Sequence, residues 1–384
     1  MKQLLLALSA SLLAVSCAAT DPDIFPYLDT PPAPPLVTPM ASAPISDDAV
    51  LTRIAFGSCL NEERDLSTVN AILDTDPQLF LLIGDNVYGD AYRDDPEALD
   101  PLMPKMARSY EELATRTAFT TLRQQVPLMT TWDDHDYGAN DAGAEYPFRE
   151  RAQELFNDAW AVPADDPRRQ RPGVYSARSF GPDGQRVQVI LLDTRYFRGE
   201  LTKTDEYNAP GKERYVPSED TTVTMLGEDQ WDWLEAELRK PADLRLLVSS
   251  IQVHADGHGW EAWATLPHER ERLYDMLAET GASNTVLLSG DRHAGSIYRR
   301  DDVAPFPITE VTSSSINMPV SFWINQALAR GEPPRPPEVD DSRLYPMQQE
   351  VNFGRIDIDW SAREASVSVV QPDSGEVYQE RVSF

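Results

Sequence analysis

The stretch Leu79-Phe80-Leu81-Leu82-Ile83-Gly84-Asp85-Asn86-Val87-Tyr88 decides the fold. Its first five residues are an unbroken apolar run, the pattern of a strand buried on both faces of a parallel sheet. Gly-Asp follows at once, so the strand ends on a carboxylate. The same order recurs where Val126–Thr131 leads into Trp132-Asp133-Asp134-His135-Asp136, and where Thr285–Leu288 leads into Ser289-Gly290-Asp291-Arg292-His293. A fourth strand, Ile54-Ala55-Phe56, runs into Gly57-Ser58-Cys59. Ligands of open α/β sheets collect outside the carboxyl ends of the strands. Convergence of these ends would bring a thiol, several carboxylates, a phenol and two imidazoles into one crevice. That is a binuclear metal site in outline.

Outward from these strands the first half alternates strands and helices, with strands at 51–57, 79–84 and 126–131 and helices near 67–74, 108–124 and 146–160. Strands at 174–180 and 186–193 flank the turn signal Gly181-Pro182-Asp183-Gly184. A helix near 227–239 carries Trp231, Leu234 and Leu238 on one face, the spacing of a core-facing stripe. Strand 244–250, helix 267–279 and strand 285–290 come next, and short strands at 296–299, 308–313, 351–359, 365–371 and 376–383 fill the C-terminal third. The order predicts two packed mixed sheets flanked by helices. The Pro-rich span 331–342 reads as a surface loop, near the site or simply a long connection.

The chain of 384 residues carries a formal net charge of −29, and its few lysines stand at 2, 105, 203, 212 and 240. Nucleic acid is not expected as a partner, because a phosphate backbone needs Lys/Arg neutralisation. At the N-terminus, Met1-Lys2-Gln3, an apolar Leu4–Val15 and Ser16-Cys17 have signal-peptide proportions. Ala14-Val15-Ser16-Cys17 resembles a bacterial lipobox, so residues 1–17 read as a lipoprotein leader with lipidation at Cys17. Ala18 is compatible with outer-membrane sorting, which gives an exported protein anchored through its lipid and facing the periplasm, or on the cell surface. Residues 18–49 are rich in Pro, Ala, Asp and Ser and read as a semi-rigid tether; the domain is expected over 50–384. With Cys17 lipidated, Cys59 has no cysteine partner. A lone thiol in an oxidising compartment is buried or ligating, and its place at a strand end favours ligation.

Thiolate and phenolate suit ferric iron or another transition metal, while hard cations take carboxylate oxygens. Asp85 can bridge two ions. Tyr88, three residues on, can return to the same ion after a tight turn, although its spacing alone serves packing equally well. Asp134 and His135 point opposite ways in an extended segment, so that one would ligate and the other face the leaving group. The spacing of Asp291 and His293 puts both on one side.

Phe56-Gly57-Ser58-Cys59, Gly84-Asp85-Asn86-Val87-Tyr88-Gly89-Asp90, Trp132–Tyr137, Leu192-Asp193-Thr194-Arg195 and Ser289–His293 together resemble the PhoD-type alkaline phosphatases, within the calcineurin-like metallophosphoesterases. The resemblance implies a four-layer α/β/β/α sandwich and hydrolysis of phosphate esters by a water ionised between two metals, Fe3+ and Ca2+. By position, Cys59, Asp85 and Tyr88 look like ligands of the ferric ion, with Asp85 bridging. Asp134 stands where related enzymes place a ligand Asn, Asp291 and His293 where they place Gly-His-x-His, and His135 where they place the general acid. Asn140 matches an Asn that contacts phosphate. Arg195 and Arg292 read as phosphate clamps or as salt-bridge partners. Gln252 sits where relatives have a polar metal-facing residue; His254 reads as a loop histidine, and His258 and His268 as rim or helix-start residues. Longer members carry an N-terminal sandwich domain; with only the tether before residue 50, no room for one is expected here. The alternatives are a phospholipase D-type phosphodiesterase and a metal- or phosphate-binding lipoprotein without turnover.

Overall fold

Two sheets of six strands, packed face to face, form the centre of the molecule. The computed structural model describes residues 36–90, 97–209, 212–333 and 336–384. The expected leader, Cys17 and the first part of the tether lie outside them. Elements run β1 (Arg53–Gly57), α1 (Ser67–Asp74), β2 (Leu79–Ile83), α2 (Pro104–Thr115), α3 (Thr117–Gln125) and β3 (Leu128–Thr131). Then come α4 (Asp134–Tyr137), α5 (Arg149–Ala159), β4 (Ser176–Phe180), β5 (Val187–Leu191), α6 (Glu228–Leu238) and β6 (Leu244–Val248). The chain continues with α7 (Pro267–Glu279), β7 (Thr285–Ser289), β8 (Gly295–Arg300), β9 (Ile308–Ser313) and α8 (Val320–Ala329). It closes with β10 (Phe353–Asp359), β11 (Glu364–Gln371) and β12 (Gly375–Ser383).

The first sheet has the order β12-β11-β10-β1-β2-β3 and the second β4-β5-β6-β7-β9-β8. In the first, β1, β2 and β3 are parallel and β10, β11 and β12 antiparallel; in the second, β5, β6, β7 and β9 are parallel. The layers follow from alternation along the strands. Leu79, Leu81 and Ile83 of β2 share the core between the sheets with Val187, Val189, Leu246 and Leu288 of the second sheet. Phe80 and Leu82, pointing the other way, pack on Val69, Tyr110, Leu113 and Phe119 of the helices. On the far face of the second sheet Ile190, Leu247 and Leu287 pack on Trp231, Leu234 and Leu277. The expected α/β/β/α sandwich is present.

Three details depart from the sequence reading. The single helix expected near 108–124 is two, because Arg116 between them is extended at φ −67° and ψ 119°. Helix α8 was not expected. Residues 36–49 are not a free tether: Met40 is buried, its N–H donates to Ala159 O at 2.7 Å, and Ala43 N–H donates to Arg123 O at 2.7 Å. Val37 and Ile45 also pack on the domain. A reading by composition averages these apolar anchors into their proline-rich surroundings. Among the described residues no helix is long and apolar enough to cross a membrane.

Candidate metal centre

The carboxyl ends of parallel strands from both sheets meet at one seam, and two glycines permit the approach. Gly84, after β2, has φ +116°, and a Cβ there would lie 2.7 Å from Asp133 Cβ and 3.0 Å from Ser250 Cβ. At Gly290, after β7, a Cβ would sit 2.5 Å from Ser58 Oγ and 2.9 Å from Ser250 O. Each glycine is followed by an aspartate delivered into the seam. Cys59, Asp85, Asp291 and His293 all take left-handed backbone, with φ of 56°, 50°, 66° and 54°. That conformation is uncommon outside glycine and costs of order 1–3 kcal/mol at each site. Its concentration here turns four side chains inward instead of along their strands.

Three overlapping groups result. Cys59, Asp85 and His293 form one; Asp85, Asp134 and His135 a second; Asp85, Asp133, Asp134 and Asp291 a third, with the donor atoms of each within 4.8 Å of one another. Asp85 belongs to all of them. Its Oδ2 lies 3.3 Å from Cys59 Sγ and 3.5 Å from Tyr88 Oη. His293 Nδ1 is 2.6 Å from Met318 O, an arrangement that fixes the N–H there and leaves Nε2 as the nitrogen able to coordinate a metal.

The electrostatics are those of a cluster built for cations. Burial pushes the Cys59 thiol up to about 12. Burial and the neighbouring Cys59 hold the Asp85 carboxyl well above the usual range, and burial with Asp134 brings Asp291 to about 7. Burial lowers the His293 imidazole to about 3, so it is neutral. Asp133 Oδ2 and Asp134 Oδ1 are buried without a hydrogen-bond partner. Acids and a thiol this crowded cannot all ionise unless positive charge is supplied. The donor set of carboxylates, thiol and imidazole fits metal ions.

His135 is set differently. It lies in α4, a single helical turn whose entry is fixed by a capping box between Asp133 and Asp136. The turn corrects the expectation that Asp134 and His135 diverge: in helical backbone both reach Asp85, and Asp134 also accepts from Asp141 N–H at 2.8 Å. His135 Nδ1 is 2.9 Å from Asp90 Oδ1, and its ring lies 4.2 Å from that of Tyr88. Burial opposes charge on His135, but Asp134, Asp85 and Asp90 outweigh it and raise its pKa well above the ordinary value. The pattern is that of a protonated imidazole whose second nitrogen remains for the cleft.

Arg195 is not a phosphate clamp here. It is wholly buried, paired with Asp133 and, at 2.6 Å, with Glu261, which also takes Arg198 at 3.0 Å. A buried carboxylate beside the cluster needs a cation, and the Arg195 guanidinium is consumed by that need. Gln252 does not face the cluster either: its Nε2 donates to Thr312 Oγ1 at 2.8 Å and to Tyr298 Oη at 3.1 Å. His254 lies in the loop after β6, as expected, but is wholly buried, 2.8 Å from Tyr274 Oη and 3.2 Å from Ile308 O. His258 Nε2 donates to Gln252 Oε1 at 2.9 Å, and His268, at the start of α7, is 2.7 Å from Val223 O. Asn140 is exposed on the cleft wall, and Arg292, paired with Glu338, lines the same cleft. Sequence reading missed Asp90, Asp133 and Glu261. Asp90 stands inside the Gly84–Asp90 motif, but only the fold shows that it faces His135.

The cleft above the cluster has a volume of about 2220 Å³ and is lined by Tyr88, Asp134, His135, Asp291 and His293. Sandwich and donor-lined seam together define a metallophosphoesterase-like architecture. Residues 54–369 match the model of the PhoD-like phosphatase family, and the chain belongs to that family. Alkaline phosphatase D of Bacillus subtilis (strain 168) is 27% identical over 186 residues, covering 44% of this chain and 31% of that protein. The match thus spans about a third of that relative's length. A solved structure of PhoD superposes with a TM-score of 0.65 at 16% identity, over 91% of this chain and 70% of the other.

Proposed function

We propose that the protein is a metal-dependent phosphoric ester hydrolase, an alkaline phosphatase acting on monoesters and able to cleave diesters. The observation that carries this reading is the position of Asp85 in every donor group, as a bridge between two cations requires. Cys59, Asp85, Tyr88 and His293 would hold Fe3+, and Asp85, Asp134 and Asp291 would hold Ca2+. Such a pair supplies Lewis acidity toward phosphoryl oxygens and ionises a water near neutral pH.

The remaining work belongs to the chain. Arg195 and Ser250 both donate to Asp133, which fixes the turn that carries Asp134 and His135. Asp90 orients the His135 ring and supports its charge, so that Nε2 can give a proton to the departing alcohol oxygen. Arg292 and the exposed Asn140 are among the polar groups of the cleft wall that an ester's outer oxygens would meet. The leader-like segment ending at Cys17 supports export and lipid anchoring facing the periplasm.

Protein purified without chelators should contain both metals by elemental analysis and release phosphate from an aryl monoester. A matched bis-aryl ester ranks mono- against diesterase activity. Metal and phosphate retention with no turnover of either ester would overturn the hydrolase reading and favour a binding protein.

A further inference from the structure

Helix α8 is largely apolar, yet among its described residues only Ser321 is buried. Val320, Trp323, Ile324, Ala327 and Leu328 line the cleft. Their spacing of three and four residues puts them on one face, the stripe that a helix ordinarily turns to a core. Here it faces an open cavity: Trp323 and Leu328 are 38% and 48% exposed. The stripe begins at the metal centre, for the rings of Trp323 and His293 lie 4.5 Å apart and Val320 N–H donates to His293 O at 2.7 Å. From Val320 to Leu328 it runs about 12 Å at the helical rise. Helix and cluster are therefore parts of one cleft, whose volume of about 2220 Å³ is several times what a phosphate group needs. The far side of the helix is held separately, Arg64 lying 4.2 Å over the Phe322 ring.

We propose that this stripe is the specificity wall for the organic part of the substrate, and that the preferred esters carry an aliphatic chain or aromatic ring on the alcohol. The inference rests on the hydrolase reading above. With a phosphoryl group seated at the cluster and its ester oxygen within reach of His135, an apolar substituent on that oxygen enters the same cleft, where it can lie over Trp323, Ile324, Ala327 and Leu328 and cover surface now exposed to water. Small polar alcohols gain nothing from that wall.

The test is a series of n-alkyl phosphate monoesters from methyl to octyl, in which alcohol acidity is nearly constant and apolar area grows. With the full metal-loaded protein kcat/KM should rise about twofold per methylene, half the about fourfold that complete burial of each group would give. The double variant Ile324→Ser, Leu328→Ser should flatten the rise while the methyl ester is turned over at the original rate. Ile324→Met, Leu328→Met should keep the rise, which separates loss of apolar contact from loss of the helix. A flat series in the parent protein, or an undiminished rise in the serine variant, overturns the proposal. Should the serine variant keep the rise but lose binding to phosphatidylglycerol vesicles, or change from dimer to monomer, the stripe serves a membrane or a second copy and the proposal is overturned. Absence of turnover with every ester, aryl esters included, would instead strike the hydrolase reading itself, and this inference with it.

Discussion

Replacing His135 with Ala separates proton donation from metal binding. The ring is held by Asp90 at 2.9 Å and by packing on Tyr88 at 4.2 Å, and nearby carboxylates favour its protonated form. Loss of a placed general acid costs about 10²–10⁴ in rate. The deficit is largest for alkyl esters, whose alcohol leaves poorly unprotonated, and smallest for esters of an acidic phenol. Asp90, buried and already with Oδ2 unpartnered, would lose its bond at Oδ1, a destabilisation of about 1–3 kcal/mol. Turnover of both ester types, elemental analysis and thermal unfolding would be measured on one preparation. Metal content should stay near that of the parent. Loss of a metal in step with activity would make His135 a ligand, and an equal deficit for phenyl and alkyl esters would refute the acid role. Asp90→Asn should move the alkaline limb of the rate profile to lower pH, since one of the charges that raise the His135 pKa is gone.

Further outcomes follow from other parts of the structure. With the proposed ferric ion bound, Cys59→Ser should lose the visible absorption of an iron–thiolate bond and most of that iron; unchanged iron and spectrum would show that the sulfur is not a ligand. Gly84→Ala places a methyl 2.7 Å from Asp133 Cβ at a left-handed φ, so metal content and activity should fall together, with the native sheets retained in far-ultraviolet circular dichroism. Arg195→Met leaves Asp133 and Glu261 buried without this partner and should cost about 3–5 kcal/mol, read by urea denaturation; a change under about 1 kcal/mol would contradict the buried network. Burial lowers His254 to about 3, so the unfolded chain binds its proton first as pH falls. Stability should therefore be complete above the unfolded histidine pKa of about 6.5 and fall by at most about 1.4 kcal/mol per pH unit from there toward 3. His254→Gln should lessen that slope, and an unchanged slope would exclude His254 as its source.

The strands that carry the site, β1, β2, β3 and β7, were legible because each is a largely apolar run ended by Gly or a polar cluster. Their carboxyl-end aspartates were legible because a charge at the end of a buried strand has to serve some purpose. Cys59 and Asp85 could be marked as donors before any geometry, by their place alone. Helix α8 escaped notice for the converse reason: an apolar helix that faces water is not what periodicity is used to find. Residues 36–49 escaped because a few buried side chains do not change the composition of a Pro-rich segment.

Sequence by itself determined the succession of strands, the layers implied by alternation, and which residue types stood at the strand ends. Those are local properties, fixed by the period of side chains along a strand and by the chemistry of each group. The tertiary structure alone decided that Asp85 is shared among the donor groups, that Asp90 faces His135, and that Arg195 is used up by Asp133 and Glu261. Each depends on distances across the seam between two sheets, set by close contact at Gly84 and Gly290 between segments far apart in the chain. An arginine reads alike whether it awaits a phosphate or is bound to a buried carboxylate; only the packing around it distinguishes the two.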